Sequence, residues 1–163
     1  MYKAILGISA LAFLAGCAGP SVTPPSPLTD DQSKSYSASY DSVWESTVDW
    51  FAMNNIPIKN IEKASGIIGS EYSLGANYSQ VNCGIIDGGD MHVVKDVSVV
   101  ANINVIVRKS GNFTTVRPNV FGHGNASLMD VWNGYPTNMK LENCVSTGEL
   151  ERSLQTYLSQ HSG

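Results

Sequence analysis

An α+β domain is the fold class this sequence predicts: an antiparallel β-sheet with an N-terminal and a C-terminal helix packed on one face. Three observations carry that prediction. Apolar residues recur every three or four positions from Tyr40 to Phe51, the period of a helix. Alternation from Val97 to Val107 has the period of a half-buried strand, and Leu150 to Leu158 returns to the helical period. Helix, strands and helix in that order belong to an α+β domain rather than to repeated βαβ units.

Composition narrows the function classes. The chain has 163 residues, 42% hydrophobic, with a formal net charge of −4. That suffices for one core and suggests a single domain. An acidic chain with no run of Lys or Arg lacks the phosphate-neutralising surface that nucleic-acid binding requires, so no nucleic-acid partner is expected.

The N-terminus reads as an export signal. Lys3 supplies positive charge, and Ala4 to Leu14 is apolar. That stretch is about eleven residues, well short of the roughly twenty a membrane-spanning helix needs. It ends in Leu14-Ala15-Gly16-Cys17, which resembles the lipobox of bacterial lipoproteins. The resemblance implies a signal peptide over 1–16, diacylglycerol on the Cys17 sulfur and a further acyl chain, palmitate-like, on its new amino group. Two or three acyl chains hold a protein stably to a membrane, whereas one does not. Ala18, in place of the aspartate that retains such proteins at the inner membrane, implies the outer membrane, with the domain facing the periplasm. The competing reading is an ordinary signal peptide that a cysteine happens to follow.

With Cys17 lipidated, Cys83 and Cys144 remain, and an oxidising periplasm lets them pair. Two free buried thiols are the alternative. A bond there is expected to pin the C-terminal helix to the middle of the sheet. Residues 17–35 hold four prolines and little that is apolar, and so read as a semi-extended spacer between lipid and domain. The folded domain is expected over 36–163.

The first helix presents Tyr40, Val43, Trp44, Thr47, Val48 and Phe51 on one face. Ser42 and Glu45 have capping-box spacing, Asp41 competes as N-cap, and Asn54-Asn55 before Pro57 stops the helix near Met53. Ile58 to Glu62 and Ile67 to Tyr72 flank a Gly-containing turn and read as a hairpin. Gln80 to Ile86 reads as a short strand carrying Cys83, with a turn at Asp87-Gly88-Gly89-Asp90. Val97 to Arg108 is the longest strand; Lys109 to Asn112 turns the chain and Phe113 to Arg117 returns it. Pro118 is expected to limit that strand's depth in a sheet. Residues 122–143 read as loop. Ser146 and Glu149 repeat the capping-box spacing, and Leu150, Leu154, Tyr157 and Leu158 form the face of a last helix ending near Ser159.

Tyr40-Asp41-Ser42-Val43-Trp44 opening a helix, Ile56-Pro57-Ile58 leaving it, and a glycine-turned hairpin thereafter resemble the helix-grip domains of envelope lipoproteins. One such protein is the C component of the β-barrel assembly machinery. The resemblance implies a helix-grip-like sheet and a role beside an envelope protein partner. The two cysteines and the single domain depart from that pattern.

Candidate chemistry is sparse. Asp87, Asp90 and His92 lie close in sequence but lack the ligand number and spacing of a calcium or transition-metal site, so no metal or other cofactor is expected. His123, Ser127 and Asp130 are the residue types of a nucleophilic triad without a Gly-x-Ser-x-Gly elbow, and no enzyme is expected. Trp132 and Tyr135, on a polar loop, are the candidate binding residues, since exposed aromatics stack on sugars or anchor partners. The function expected is that of a lipid-anchored periplasmic interaction protein, an accessory subunit of an envelope assembly. A glycan or small-ligand module built on Trp132 and Tyr135 is the alternative.

Overall fold

The computed structural model describes residues 18–29, 32–70, 74–76 and 79–162. The segment read as a signal peptide and Cys17 lie outside the described residues, as does the end of the predicted second hairpin strand beyond Ser70. Among the described residues, strands β1 (Ser21–Thr23) and β2 (Lys34–Tyr36) precede helix α1 (Tyr40–Met53). Strands β3 (Ile58–Glu62), β4 (Ile67–Ser70), β5 (Leu74–Ala76), β6 (Val81–Asn82) and β7 (Ile85–Asp87) follow. Three long strands, β8 (His92–Ser110), β9 (Phe113–Asp130) and β10 (Pro136–Ser146), lead into α2 (Glu149–His161). Every ladder is antiparallel, in the order β3-β4-β8-β9-β10-β6, with β2 added on β9 and β5 on β8. The predicted α+β class, an antiparallel sheet with an N-terminal and a C-terminal helix, is what the chain adopts, with β2 added to the sheet ahead of α1.

Both helices cover one face of the sheet. They run antiparallel to each other: Ser42 Oγ donates to the Ser162 carbonyl at 3.1 Å, and the Trp50 indole N–H donates to Ser153 Oγ at 3.2 Å. Beneath them lie Val43, Trp44, Trp50 and Phe51 of α1 and Leu154 and Leu158 of α2. These meet Ala101, Ile103, Val105 and Val107 of β8 and Val116 and Val120 of β9 in one core. Each such fully buried aliphatic or Phe side chain contributes roughly 1.5–3 kcal/mol. Trp50 joins the predicted stripe and packs edge-on against Phe51, with ring centroids 5.3 Å apart.

The helix ends differ from their predicted caps. Ser39, not Ser42 or Asp41, caps α1, its hydroxyl accepting from the Ser42 N–H at 3.2 Å. At the other end Asn55 takes a left-handed φ of 53°, the Ile56 N–H reaches the Phe51 carbonyl and the Asn55 N–H that of Ala52. That is a Schellman stop with Asn in the usual glycine place. In α2 the position before the helix is Gly148, with φ 80°. Ser146 therefore bonds the buried Glu151 at 2.8 Å instead of closing a box with Glu149, and the helix runs two residues past Ser159.

Three further expectations are corrected. Residues 122–143 are largely strand, not loop: β9 continues to Asp130 and β10 starts at Pro136. The inward positions of β9 are Pro118, Val120, Gly122, Gly124, Ala126 and Leu128, all buried. Small residues at several of them hide the alternation from a hydropathy reading. Pro118 sits inside β9, opposite Val105. On β9's other edge β2 pairs only with Thr114 to Val116 and β10 only from Phe121 on, so no described strand needs a donor from Pro118 there.

The third correction concerns 17–35. Where described, this segment lies along the domain rather than standing free. β1 pairs with β7 over Ser21–Thr23, Val22 and Ile86 pack on the main core, and the Gln32 carbonyl accepts from Gln155 Nε2 at 2.6 Å. Extended backbone with little apolar content cannot fold alone, but it can pair with a strand the domain already holds; β1 and β7 form a two-stranded sheet of their own.

Candidate functional site

The β9–β10 connection, Val131 to Tyr135, forms the tip of the long hairpin. Asp130 organises it. Its Oδ1 accepts the N–H groups of Trp132 at 2.8 Å and Asn133 at 3.2 Å, and those two bonds, Trp132's first, hold its carboxyl below the usual carboxylate range. The Tyr135 N–H in turn donates to Asn133 Oδ1 at 2.9 Å, and the Asp130 N–H to the Tyr135 carbonyl at 3.0 Å. The polar groups of the tip thus satisfy one another, and the aromatic rings point away: Trp132 is 78% exposed and Tyr135 71%. Both predicted binding residues share this tip.

The Asp87–His92 turn lies beside it. Asp87 Oδ1 accepts the Gly89 N–H at 2.8 Å, and His92 pairs across the ladder with Asp130. The Val131 N–H donates to the Met91 carbonyl at 2.9 Å, which joins turn and tip. A register shift at Lys95 changes which side chains face out. Past it, Val93 stands opposite the outward Met129, whereas without the extra residue it would share the inward face of Val99. Val93 is consequently exposed, and Met91, Met129 and Val131 are exposed at the same end of the hairpin as the two aromatics. The exposure of Val93 was hidden in the sequence, because a bulge leaves no hydropathy signature.

The remaining candidates do not converge. His123 and Ser127 lie on the same outward face of β9, four residues or about 13 Å apart along the strand. Asp130 is engaged in the tip turn. Among the described residues no three of His, Cys, Asp and Glu gather as metal ligands, and the buried His92 Nδ1 has no hydrogen-bond partner.

Cys83 and Cys144 are joined, 61 residues apart in sequence, with α-carbons 4.0 Å apart. Cys83 lies between β6 and β7 rather than within a strand, and Cys144 belongs to β10. The bond therefore fastens the β6–β7 strip to one edge of the sheet, not α2 to its middle. Near it, a cleft of about 300 Å3 between Leu28, Arg117, Pro118 and Ser146 has Glu151 in its wall.

The sheet face opposite the helices carries no layer among the described residues. A hollow of about 470 Å3 on it lies between Lys59, Ile67, Asn102, Asn104, Ile106 and Phe121. Cross-strand pairing sets it: Asn102 faces Phe121, and Ile106 faces Ile67. None of the described helices is long and apolar enough to cross a membrane. No protein family matches the chain, and no curated protein does so either.

Proposed function

We propose that the protein is a lipid-anchored periplasmic lipoprotein, tethered through Cys17 to the outer membrane, that serves as an accessory subunit of a cell-envelope assembly. One observation carries the interaction role: both helices lie on one face of the sheet, and among the described residues the other holds a hollow beside Ile67, Ile106 and Phe121. A half-apolar, hollowed sheet face on a rigid body is a surface a partner protein can fill. The lipobox residues Leu14 to Cys17 supply the address, and the disulfide suits an oxidising compartment.

The reading is tested in two parts. Mass spectrometry of the native protein should find Cys17 as the N-terminal residue, carrying a thioether diacylglycerol; a bare thiol there ends the lipoprotein reading. A photo-crosslinker at Ile106 should give a single heteromeric adduct in intact cells, and one at Thr156 on α2 should not. Equal adducts from both positions, or none from Ile106, would remove that face as the interface.

The exposure of Trp132 and Tyr135 favours a second reading, a glycan or small-ligand module at the hairpin tip. In that case Trp132→Ala should abolish binding of peptidoglycan fragments and leave the melting temperature unchanged.

A further inference from the structure

We infer that the hairpin tip is a membrane-docking surface: Trp132, Tyr135, Met91, Val93, Met129 and Val131 seat in the interface of the same bilayer that holds the lipid on Cys17. The inference rests on the lipoprotein reading above. What it adds is a fixed orientation of the domain against the membrane, in place of a domain swinging on a spacer.

Two independent features lead there. The first is where the chain emerges. The Ala18 carbonyl lies against Gly89, so close that a Cβ on that glycine would come within 2.3 Å of it. Met91 is two residues from Gly89, at most ~7 Å of chain, and its carbonyl holds Val131. Ala18, the residue that follows Cys17 in the chain, and the tip are thus at the same end of the molecule, and β1, paired with β7, keeps the following chain there.

The second feature is the chemistry of the end itself. Trp and Tyr are the residues that settle at headgroup depth, and Met and Val suit the layer beneath. A sugar platform needs free polar groups beside the rings, whereas here Met91, Val93, Met129 and Val131 are exposed at the same end and the tip's Asp130 and Asn133 already serve its own turn. Asp87, Asp90, Asp96 and Asp130 outnumber Lys95 around the patch, so a neutral or zwitterionic surface fits and an anionic one does not.

Tryptophan fluorescence of the mature lipidated protein in phosphatidylcholine vesicles tests this. Trp44 and Trp50 are buried in the core and Trp132 is exposed, so acyl chains brominated near the headgroup should quench Trp132 alone. Trp132→Phe should remove all lipid-dependent quenching, and aqueous iodide should quench the wild type less in vesicles than in detergent-free Cys17→Ser protein. Flotation with the vesicles is scored alongside. Flotation without bromine quenching, with iodide access intact, overturns the docking and leaves the anchor. Shielding from both quenchers means that a protein, here a second copy, covers the tip, which also overturns it. Failure to float overturns the lipoprotein reading itself.

Discussion

Gly122 lies directly opposite Cys144 in the β9–β10 ladder, at the point where the disulfide enters the sheet. A Cβ on Gly122 would come within 2.7 Å of the Val100 carbonyl oxygen and 3.2 Å of the Val81 side chain. The strand is glycine here because the Val100 carbonyl of β8 and the Val81 side chain of β6 both close on this position.

Gly122→Ala should therefore be destabilising by about 1–3 kcal/mol, the range for forcing a methyl into packed backbone. Urea unfolding reads it as a lowered midpoint with an unchanged slope. Gly19→Ala is the control: a Cβ at Gly19 meets nothing within 4 Å, so its midpoint should not move.

Removing the disulfide with Cys83→Ser and Cys144→Ser together should lower stability by about 2–4 kcal/mol. The upper value is the chain-entropy limit for a loop of this length. A double variant as stable as the wild type would show that β6 and β7 hold to β10 without it.

Glu151 is 1% exposed, accepts from Ser146 Oγ at 2.8 Å, and Ser146 Oγ itself accepts the Gly148 N–H at 2.9 Å. The chain joins the end of β10 to the first turn of α2. Glu151→Ala strands the buried hydroxyl and should cost about 1–3 kcal/mol, whereas Glu151→Gln keeps an acceptor and should cost less. Equal losses in the two variants would mean that volume, not the hydrogen bond, matters there.

Burial pushes the Tyr36 phenol up from 10.0 to about 12, against an opposing hydrogen bond with Ser159. The native state then holds this proton more tightly than the unfolded chain. Its contribution to stability is complete below pH 10 and is lost as pH rises from 10 through about 12. Tyr36→Phe should flatten the fall in urea midpoint across that window; an identical fall in both proteins would assign it to other groups.

Much of this architecture was legible in the residues. The α1 stripe, the alternation of β8 and the α2 stripe all mark elements whose buried side is made of large apolar side chains. β9 was legible only to Arg117, because beyond it several inward positions are Pro, Gly and Ala, whose burial reflects close backbone packing rather than hydropathy. Ser39 escaped as the α1 cap because Ser42 and Asp41 are equally good capping types; which one caps depends on where the helix backbone begins. The exposure of Val93 near the tip was illegible for a different reason, since the Lys95 bulge reverses the faces without changing composition.

By itself, then, the sequence determined the class of fold, its two helices, its principal strand and the two cysteines left to pair if Cys17 carries lipid, since each depends on local period or residue chemistry. The tertiary structure alone decided that the proline-rich segment docks, that one sheet face carries no further layer among the described residues, and that Ala18 and the hairpin tip share one end. Those are relations between residues far apart in the chain, and register and close approach, not propensity, set them.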